Sequence, residues 1–581
     1  MKKAVLLITL SFLFITCSSN KKQNPTAESN DNAIKLYHGG DIITMEGEEP
    51  QYVEAIVTDN DKIAFVGTLK DAESKYPKAS KKNLYGHTLL PAFIDGHGHM
   101  MQTAVLGSMM ANIMPPPDGS VKNFDKLIQV MNDWKNTDDG KSFIKETGWI
   151  VGNGYDDSQL DEKDHPTADI LDKISTDVPV LVLHQSGHLS SINHKAMEVL
   201  GLNENTPNPS GGHRRKLPDG KLSGVLEENA NIPVILTVIG KISTDFMLDK
   251  AMMVQNKYMS YGYLTVQDGR TAPQELVWLK AMADQKKFVV EVAAYPDMTM
   301  SPDEKLVDYI YPNKAYVNNF RIAGVKLTLD GSPQGKTAWL THAYHTPPTG
   351  EDHTYAGRPI MSDEKSIAYV KRAFKNKWQI LCHTNGDAAT DQYMRSIKAA
   401  QEEFGYDDHR TVIVHGQTMR EDQLKTAADL GCYITFYPAH TFYWGDWHVE
   451  SVLGHPRADY ISPTHDAVYK YGINITSHHD SPVIPCNSMR VLDATVNRVT
   501  RSGYVLGPDQ RLTVFDGLRT LTIWAANQYF EENKKGTLSV GKVADLVILD
   551  KNPLKVDPLK IHTITIDESI KKGRSVYKKN K

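Results

Sequence analysis

The chain is 581 residues long, which predicts more than one domain or one domain with large insertions. Its formal net charge is −5 and it contains no strongly basic block, so a nucleic-acid partner is not expected. The four cysteines, Cys17, Cys382, Cys432 and Cys486, show no CxxC spacing and are too sparse for a disulfide framework. We expect the last three to be reduced thiols.

The N-terminus has the pattern of an export signal. Met1–Lys3 is positively charged, Ala4–Ile15 is apolar but short for a membrane span, and Cys17 follows directly. This order resembles a bacterial lipoprotein leader, with residues 1–17 as signal peptide and 18–33 as a polar, flexible tether. It predicts export to the cell envelope, periplasmic or surface-facing, with the membrane a partner only through a lipid on Cys17. An ordinary secretory signal with a chance cysteine is the alternative.

Short strand-like segments occur near both ends of the remaining chain. Glu54–Val57 and Lys62–Gly67 predict a hairpin over a polar turn, and Gly541–Asp550 has a similar texture near the C-terminus. We therefore predict that residues 34–88 and 526–581 form one composite β-sandwich domain. The catalytic part of the chain would be inserted between these two halves.

Eight apolar runs of strand length follow within residues 89–525, and most gaps between them have helical patterns. Strands that alternate with helices predict parallel βα units, and eight such units indicate an α/β fold of the TIM (β/α)8 barrel type. The gap after the first run is too long for one unit, which predicts an insertion at about residues 102–256 over the barrel mouth. The runs are Leu89–Asp95, Leu264–Asp268, Val289–Tyr295, Ala323–Leu329, Gln379–His383, Thr411–His415, Cys432–Tyr437 and Asn474–Ser477.

The first run ends in a pair of histidines one residue apart, His97 and His99. Because side chains alternate along a strand, both point the same way, and two imidazoles at this spacing can bind one metal ion. An isolated His-x-His is more often a pair of loop histidines without a function. The ends of the other runs decide between these alternatives.

Ionisable side chains recur in the later runs. His383 and His415 end the fifth and sixth runs, Asp480 follows the eighth, and Lys326 lies within the fourth. In a TIM barrel the carboxyl ends of the strands meet at the face that carries the chemistry. Each residue alone could be a satisfied polar group, whereas their recurrence at one end of separate strands predicts a site for zinc or a similar divalent metal.

At these residues the chain resembles the amidohydrolase superfamily. The resemblance covers nearly the whole mature chain, and Pro91–His99 and Gly541–Val547 carry it together with the divided sandwich. The finer resemblance is to a branch that contains N-substituted formamide deformylases. Gly324–Leu327, His383–Asp387 and Ser186–Asn193 carry that finer resemblance.

The resemblance implies two divalent metal ions, expected to be Zn²⁺. The implied ligands are His97, His99 and Asp480 for one ion, His383 and His415 for the second, and a carboxylated Lys326 as the bridge between them. The chain departs from the family pattern in two ways: Val414 stands where many relatives have an acid, and His478 and His479 stand before Asp480 in place of small residues. These departures leave open a further histidine at the site and a single metal with unmodified Lys326.

The implied activity is hydrolysis of non-peptide C–N bonds in a small-molecule amide, with formamides favoured. A metal-activated hydroxide would attack the carbonyl carbon, and Asp480 would act as general base and then as general acid towards the leaving amine. His188, in the insertion, is a candidate oxyanion or substrate contact, weighed against a structural hydrogen bond. Weaker pocket candidates, expected to be structural, are Asn153, Tyr155, Glu227 and Trp339.

Two other classes of function stay open. An exported lipoprotein could bind a ligand without turnover, although the complete set of expected ligands argues against a decayed site. The same barrel and metals could also catalyse a non-hydrolytic reaction, such as decarboxylation or isomerisation, since a fold does not fix the chemistry. The sequence does not name the substrate or the metal, and it leaves the oligomeric state open, a homodimer included.

Overall fold

The structure is a computed structural model that describes residues 34–301, 315–348, 350–405 and 407–580. The predicted signal peptide, the tether and the anchor residue Cys17 lie outside this range. Among the described residues, no helix combines the length and apolar character needed to cross a bilayer. Cys382, Cys432 and Cys486 are buried free thiols, as predicted.

The strands of the described chain form four hydrogen-bonded sheets. In chain order the strands are β1 Lys35–Ile43, β2 Tyr52–Asp59, β3 Lys62–Gly67, β4 Ser80–Asn83, β5 Thr88–Pro91, β6 Phe93–Ile94, β7 Ala111–Asn112, β8 Ile150–Tyr155, β9 Val180–His184, β10 Leu189–Ile192, β11 Gly212–Lys216, β12 Leu222–Glu228, β13 Tyr263–Thr271, β14 Glu291–Pro296, β15 Phe320–Ile322, β16 Gly324–Thr328, β17 Gln379–Thr384, β18 Val412–His415, β19 Tyr433–Phe436, β20 Ile475–Ser477, β21 Leu546–Leu549, β22 Ile566–Lys571 and β23 Arg574–Lys578.

Helices connect and cover these sheets, and polar side chains cap several of them. Asn193 accepts a hydrogen bond from the main-chain N–H of Ala196, and Ser243 accepts one from Phe246, which satisfies N–H groups that a first helical turn leaves unpaired. The α-helices are Leu69–Lys75, Met100–Ser108, Phe124–Lys135, Asp138–Thr147, Ala168–Asp172, His194–Leu200, Ile232–Ile239, Thr244–Ser260, Pro273–Asp284, Asp363–Lys375, Asp387–Phe404, Glu421–Asp429, Ala439–Trp447, Ser488–Asn497, Val514–Leu521 and Ile523–Gln528.

Strands from both ends of the chain share one eight-stranded sheet. Its order is β23-β22-β21-β5-β1-β2-β3, with β4 beside β1. β21, from the C-terminal segment, pairs antiparallel with β5 and with β22, and β2 and β3 form the predicted hairpin. Leu89, Leu546 and Ile548 lie in one buried apolar cluster of this sheet. Main-chain hydrogen bonds thus join strands from the two ends of the described chain, and the composite sandwich domain stays a prediction.

The predicted first barrel strand, Leu89–Asp95, is divided between two sheets, which corrects the sequence analysis. Thr88–Pro91 (β5) pairs with β1 and β21 in the sheet of the chain ends, whereas Phe93–Ile94 (β6) pairs in parallel with β13. Both halves are buried, and an apolar run that is covered on both faces has the same pattern in either sheet. The boundary between β5 and β6 therefore cannot be recognised in the sequence.

Two parallel sheets hold the predicted barrel strands. Their orders are β15-β14-β13-β6 and β16-β17-β18-β19-β20, and since Ala323 alone separates β15 from β16, nine strands occupy the eight predicted positions. Main-chain hydrogen bonds join the segments that follow the first and last positions, from Asp480 to His97 at 3.2 Å and from His99 to Ser481 at 2.9 Å. Closure of the two sheets into one barrel stays a prediction, which these bonds support.

A separate six-stranded sheet lies within the range of the predicted insertion. Its order is β11-β12-β10-β9-β8-β7. The turn between β9 and β10, residues 185–188, faces a cavity at the carboxyl ends of the parallel strands. Gln185 holds this turn against the cavity, because its Nε2 donates to the carbonyl oxygen of Val483 at 2.9 Å. The insertion sheet thus supplies part of the cavity wall.

Candidate metal centre

The six predicted ligands meet at the carboxyl ends of the parallel strands, where they line or adjoin a cavity of about 70 Å³. Five of them are buried, and the side chain of His99 is 13% exposed. They are His97 and His99 after β6, Lys326 in β16, His383 in β17, His415 at the end of β18 and Asp480 after β20.

Asp480 lies between two pairs of histidines. Its Oδ1 is 3.0 Å from Nε2 of His99 and 3.5 Å from Nε2 of His97. Its Oδ2 is 3.9 Å from Nε2 of His415, which in turn is 3.0 Å from Nδ1 of His383. Burial would raise the pKa of Asp480, but the imidazoles of His415 and His99 outweigh burial and hold that pKa well below its usual value. Both histidine pairs therefore face one ionised carboxylate.

A chain of hydrogen bonds fixes the tautomer of His97. The hydroxyl of Tyr529 donates to the main-chain oxygen of Asp95 at 2.6 Å, so it accepts a hydrogen bond from Nε2 of Gln267, also at 2.6 Å. The amide oxygen of Gln267 then faces Nδ1 of His97 at 2.5 Å and accepts its proton. The lone pair on Nε2 of His97 is left facing Asp480 and Nζ of Lys326, 3.1 Å away.

His383 and His415 turn two lone pairs towards each other. Nε2 of His383 donates to the carbonyl oxygen of Gly331 at 3.1 Å, which leaves Nδ1 unprotonated in the neutral ring. Nδ1 of His415 is 3.0 Å from Nε2 of His478, whose own Nδ1 is 3.0 Å from the hydroxyl of Thr435. If Nδ1 of His478 donates to the hydroxyl of Thr435, its Nε2 is an acceptor and receives the proton on Nδ1 of His415. The lone pair on Nε2 of His415 then faces Nδ1 of His383.

This arrangement fits a divalent cation at each histidine pair. Burial lowers the pKa of His97, His383 and His415 well below the usual value, which keeps the imidazoles in the neutral form that binds metals. Two facing lone pairs repel each other, and a cation between them turns that repulsion into ligation. One ligand atom each from His97, His99 and Asp480 lies within a span of 4.8 Å, the size of a metal site.

The two histidines before Asp480 take different positions. His478 reaches the site and forms a second compact group with His415 and Asp480. Because both of its nitrogens have partners, its contacts suit a residue that orients His415. Nε2 of His479 instead lies 3.3 Å from the buried carboxylate of Asp95. Burial lowers the pKa of His478 and of His479 to about 3, so both rings are neutral.

Lys326 is buried beside the first histidine pair. In the described part of the chain its Nζ lies next to Nε2 of His97 and forms no ion pair with a carboxylate. Burial lowers the pKa of Lys326 to about 7, against the opposing effect of Asp480. Near neutral pH, a large fraction of this side chain is therefore an uncharged amine.

Two of the predicted ligands have a backbone conformation that L-residues rarely adopt. His415 has φ 73° and Asp480 has φ 53°, both in the left-handed region. Such residues cost roughly 1–3 kcal/mol each and persist where the surrounding structure fixes them. At these two positions the strained backbone aims side chains into the cavity, and no sequence pattern predicted it.

His188 reaches the cavity from the insertion. Its Nδ1 donates to Oε2 of Glu228 at 2.8 Å, and its ring centroid is 4.8 Å from that of His383. Because Glu228 occupies Nδ1, Nε2 is the nitrogen left for a substrate. The structure thus brings the predicted contact residue to the predicted ligands.

The four weaker candidates do not behave alike. Asn153 lines the cavity. Tyr155 is fully buried, Glu227 pairs with Arg215, and Trp339 packs against an apolar cluster beside the barrel strands. The last three have structural contacts of the kind we expected for all four.

Four site residues were missed by the sequence analysis. Gln267 and Arg270 stand in β13, where the apolar run gives way to polar residues, and that change at a strand end was a usable signal. Glu228 and Tyr529 had no local signal, because each reaches the site from a distant part of the chain.

Comparisons with known proteins show the family of the chain and relatives with the same fold. A model of the amidohydrolase family matches residues 83–577. The protein named amidohydrolase YtcJ, from Bacillus subtilis, is 22% identical over 558 residues, which cover 94% of this chain and 99% of that protein. N-substituted formamide deformylase from Arthrobacter pascens is 24% identical over 527 residues, which cover 86% and 90%. The solved structure of an uncharacterized metal-dependent hydrolase from Pyrococcus horikoshii shares the fold, with a TM-score of 0.70 at 23% identity, and covers 90% of this chain and 99% of that one.

Replacement of Gln267 by Met tests the tautomer chain behind His97. The variant keeps the side-chain volume but removes the acceptor for Nδ1–H, so we expect zinc affinity to fall about 10- to 100-fold. Titration of metal-depleted protein against a zinc indicator measures this. The matched control is Gln379→Met, a buried glutamine at the start of β17 that accepts from Tyr295 at 2.8 Å. Equal zinc affinity in the two variants would contradict the role given to Gln267.

Proposed function

The chain belongs to the amidohydrolase family, and we propose that it is a metal-dependent hydrolase of non-peptide C–N bonds in small amides. The observation that carries this proposal is the convergence of two histidine pairs on the carboxylate of Asp480. When bound, divalent metal ions supply Lewis acidity that makes water nucleophilic near neutral pH and polarises a carbonyl group. Similarity to an N-substituted formamide deformylase supports formamides as the first substrates to try.

The donor atoms divide into two sets. Nε2 of His97 and Nε2 of His99 would hold the first ion with Asp480, and Nδ1 of His383 and Nε2 of His415 would hold the second. Neutral imidazoles with one carboxylate suit Zn²⁺, which is the metal we propose.

Asp480 is the proposed proton carrier. Its ionised carboxylate would accept a proton from the attacking water and hand it to the leaving nitrogen, so that the amine departs as a neutral molecule. The overall reaction consumes one amide and one water and yields a carboxylic acid and an amine. The carboxylate can serve both steps because its two oxygens face the two histidine pairs.

We propose that Lys326 is carboxylated on Nζ. A protonated Lys326 would hold a positive charge 3.1 Å from Nε2 of His97, where a metal cation has to bind. Addition of CO₂ to the neutral amine, with loss of one proton, replaces that charge with carbamate oxygens that can bridge two ions. A single metal beside an unmodified lysine is the alternative.

His188 is the proposed contact to the substrate carbonyl. Glu228 accepts from Nδ1 at 2.8 Å and so fixes the ring, which leaves Nε2 for the substrate. A proton on Nε2 could be donated to the carbonyl oxygen as negative charge develops there. The insertion would in this way complete a pocket whose metal ligands come from the barrel strands.

Loss of a ligand tests the proposed function. We expect His97→Ala and Asp480→Asn each to lower kcat/KM about a hundredfold or more on N-substituted formamides and N-acyl amides, with unchanged circular dichroism, since each removes a ligand or the proton carrier. The control is His194→Ala, an exposed histidine on the insertion that pairs with Asp172. Near-normal turnover in either site variant would overturn the site. Zinc-loaded wild type that hydrolyses no amide would favour ligand binding without turnover.

The proposal for location is that the protein is exported and anchored in the bacterial cell envelope through a lipid on Cys17. We expect Cys17→Ser to leave the protein unprocessed or to release it into the soluble fraction, because the thiol that would carry the lipid is absent. Fractionation and immunoblotting measure this, with Ser19→Ala as the matched leader variant. Normal processing and membrane retention of Cys17→Ser would exclude the anchor.

A further inference from the structure

Arg270 is a cation in the cavity wall that neither metal binding nor proton transfer uses. It stands near the carboxyl end of β13, lines the same cavity as His99 and Asp480, and its side chain is 21% exposed. An arginine stays protonated at any physiological pH, so its charge is permanent. A permanent charge beside the reaction site needs a partner for that charge.

Asp297 holds this arginine from one side. Nε of Arg270 donates to Oδ2 of Asp297 at 2.8 Å. The other oxygen, Oδ1, accepts from the main-chain N–H of Thr299 at 2.7 Å and from its hydroxyl at 2.6 Å. Asp297 is 1% exposed, so it is a fixed support and not a surface partner. The guanidinium is thereby oriented through a single nitrogen.

The two terminal nitrogens of Arg270 are left for a ligand. Among the described residues no acceptor is bonded to Nη1 or Nη2. Two parallel N–H groups on a rigid plane match the two oxygens of a carboxylate, and such paired, charge-assisted bonds are among the strong ones in proteins. The two terminal nitrogens of Arg270 are therefore suited to bind a carboxylate in this partly buried wall.

The charge of the cavity also favours an anionic ligand. Of the described residues that line it, Asp480 is the only acid, and it already faces the histidines. Arg270 adds a positive charge that Asp297 offsets from one side, and metal ions in the site would add to it. An anionic substrate would enter this cavity more favourably than a neutral one of the same shape.

Gln185 offers a second fixed contact in the same wall. It is 3% exposed and lines the cavity, and its Nε2 is tied to the carbonyl oxygen of Val483. Its Oε1 is buried and has no hydrogen-bond partner in the described chain. A buried acceptor without a donor is costly, and the N–H of an amide substrate would satisfy it.

We propose that the substrate carries a carboxylate close to the scissile amide, as an N-formyl or N-acyl amino acid does, and that Arg270 binds this carboxylate. This inference rests on the proposed hydrolase function and narrows its substrate class. Gln185 then accepts a hydrogen bond from the substrate N–H. The cavity, at about 70 Å³, favours a carboxylate only a few atoms away from the amide.

The test compares each carboxylate substrate with the uncharged carboxamide of the same shape. N-formylglycine and N-formylleucine are assayed against the corresponding carboxamides with zinc-loaded, full-length mature protein. We expect wild type to prefer the carboxylates. In Arg270→Gln the ratio of kcat/KM for carboxylate over carboxamide should fall about tenfold to a hundredfold, and Arg270→Lys should restore part of it. The ratio does not depend on the folded fraction, so a less stable variant still gives an answer.

Arg215→Gln is the matched control, because Arg215 is also a partly buried arginine with an acidic partner but does not line the cavity. Its ratio should equal that of wild type. If wild type hydrolyses both members of each pair and Arg270→Gln leaves the ratio unchanged, Arg270 does not bind a substrate carboxylate. The proposed hydrolase function is then unaffected.

Calorimetric binding separates the two proposals if wild type hydrolyses none of the four compounds. That result counts against the proposed function. Binding of N-formylglycine to wild type that is lost in Arg270→Gln would still establish the carboxylate site. Equal binding to both proteins, or binding to neither, would overturn it.

Discussion

The site depends on one buried carboxylate that two pairs of imidazoles share. Asp480 stands within 3.9 Å of His97, His99 and His415, which come from two separate strand positions. Burial lowers the pKa of His97 and of His415 well below its usual value, so these two rings are neutral. Neutral nitrogens whose lone pairs converge on a carboxylate are unfavourable neighbours without a cation. The backbone at His415 and at Asp480 is strained, and the surrounding structure holds both residues in the conformation that turns their side chains to the cavity.

Four sheets cooperate to build that geometry. The sheet of the chain ends continues through β5 into β6, so it fixes the entry of the strand that leads to His97 and His99. The two parallel sheets bring the other ligands to the same edge. The turn between β9 and β10 of the insertion sheet then adds Gln185 and His188 to the cavity wall. Fold and site are thus linked by chain connectivity, and the residues that we propose to contact the substrate lie in the insertion and in β13.

Much of this could be predicted from the sequence. Side-chain alternation paired His97 with His99, and the shared edge of parallel strands predicted that His383, His415 and Asp480 would meet them. The division of Leu89–Asp95 between two sheets was not predictable, because the apolar pattern is the same in both. The hydrogen bond between Gln267 and Tyr529 was not predictable either, because these residues lie 262 positions apart in the chain. The roles given to the ligands came from family resemblance, and the geometry supports them.

The central claim is a two-metal site bridged by a carboxylated lysine, and one experiment tests it most directly. Protein from residue 21 onward, produced with zinc, is analysed for metal per chain by elemental mass spectrometry. Its intact mass is measured in parallel under non-acidic conditions, because a lysine carbamate is lost in acid. The account predicts two metal ions per chain and the added mass of one CO₂, which disappears when Lys326 is replaced by Met. One metal without added mass would contradict the bridge at Lys326, and no metal after reconstitution with zinc would contradict the metal centre itself.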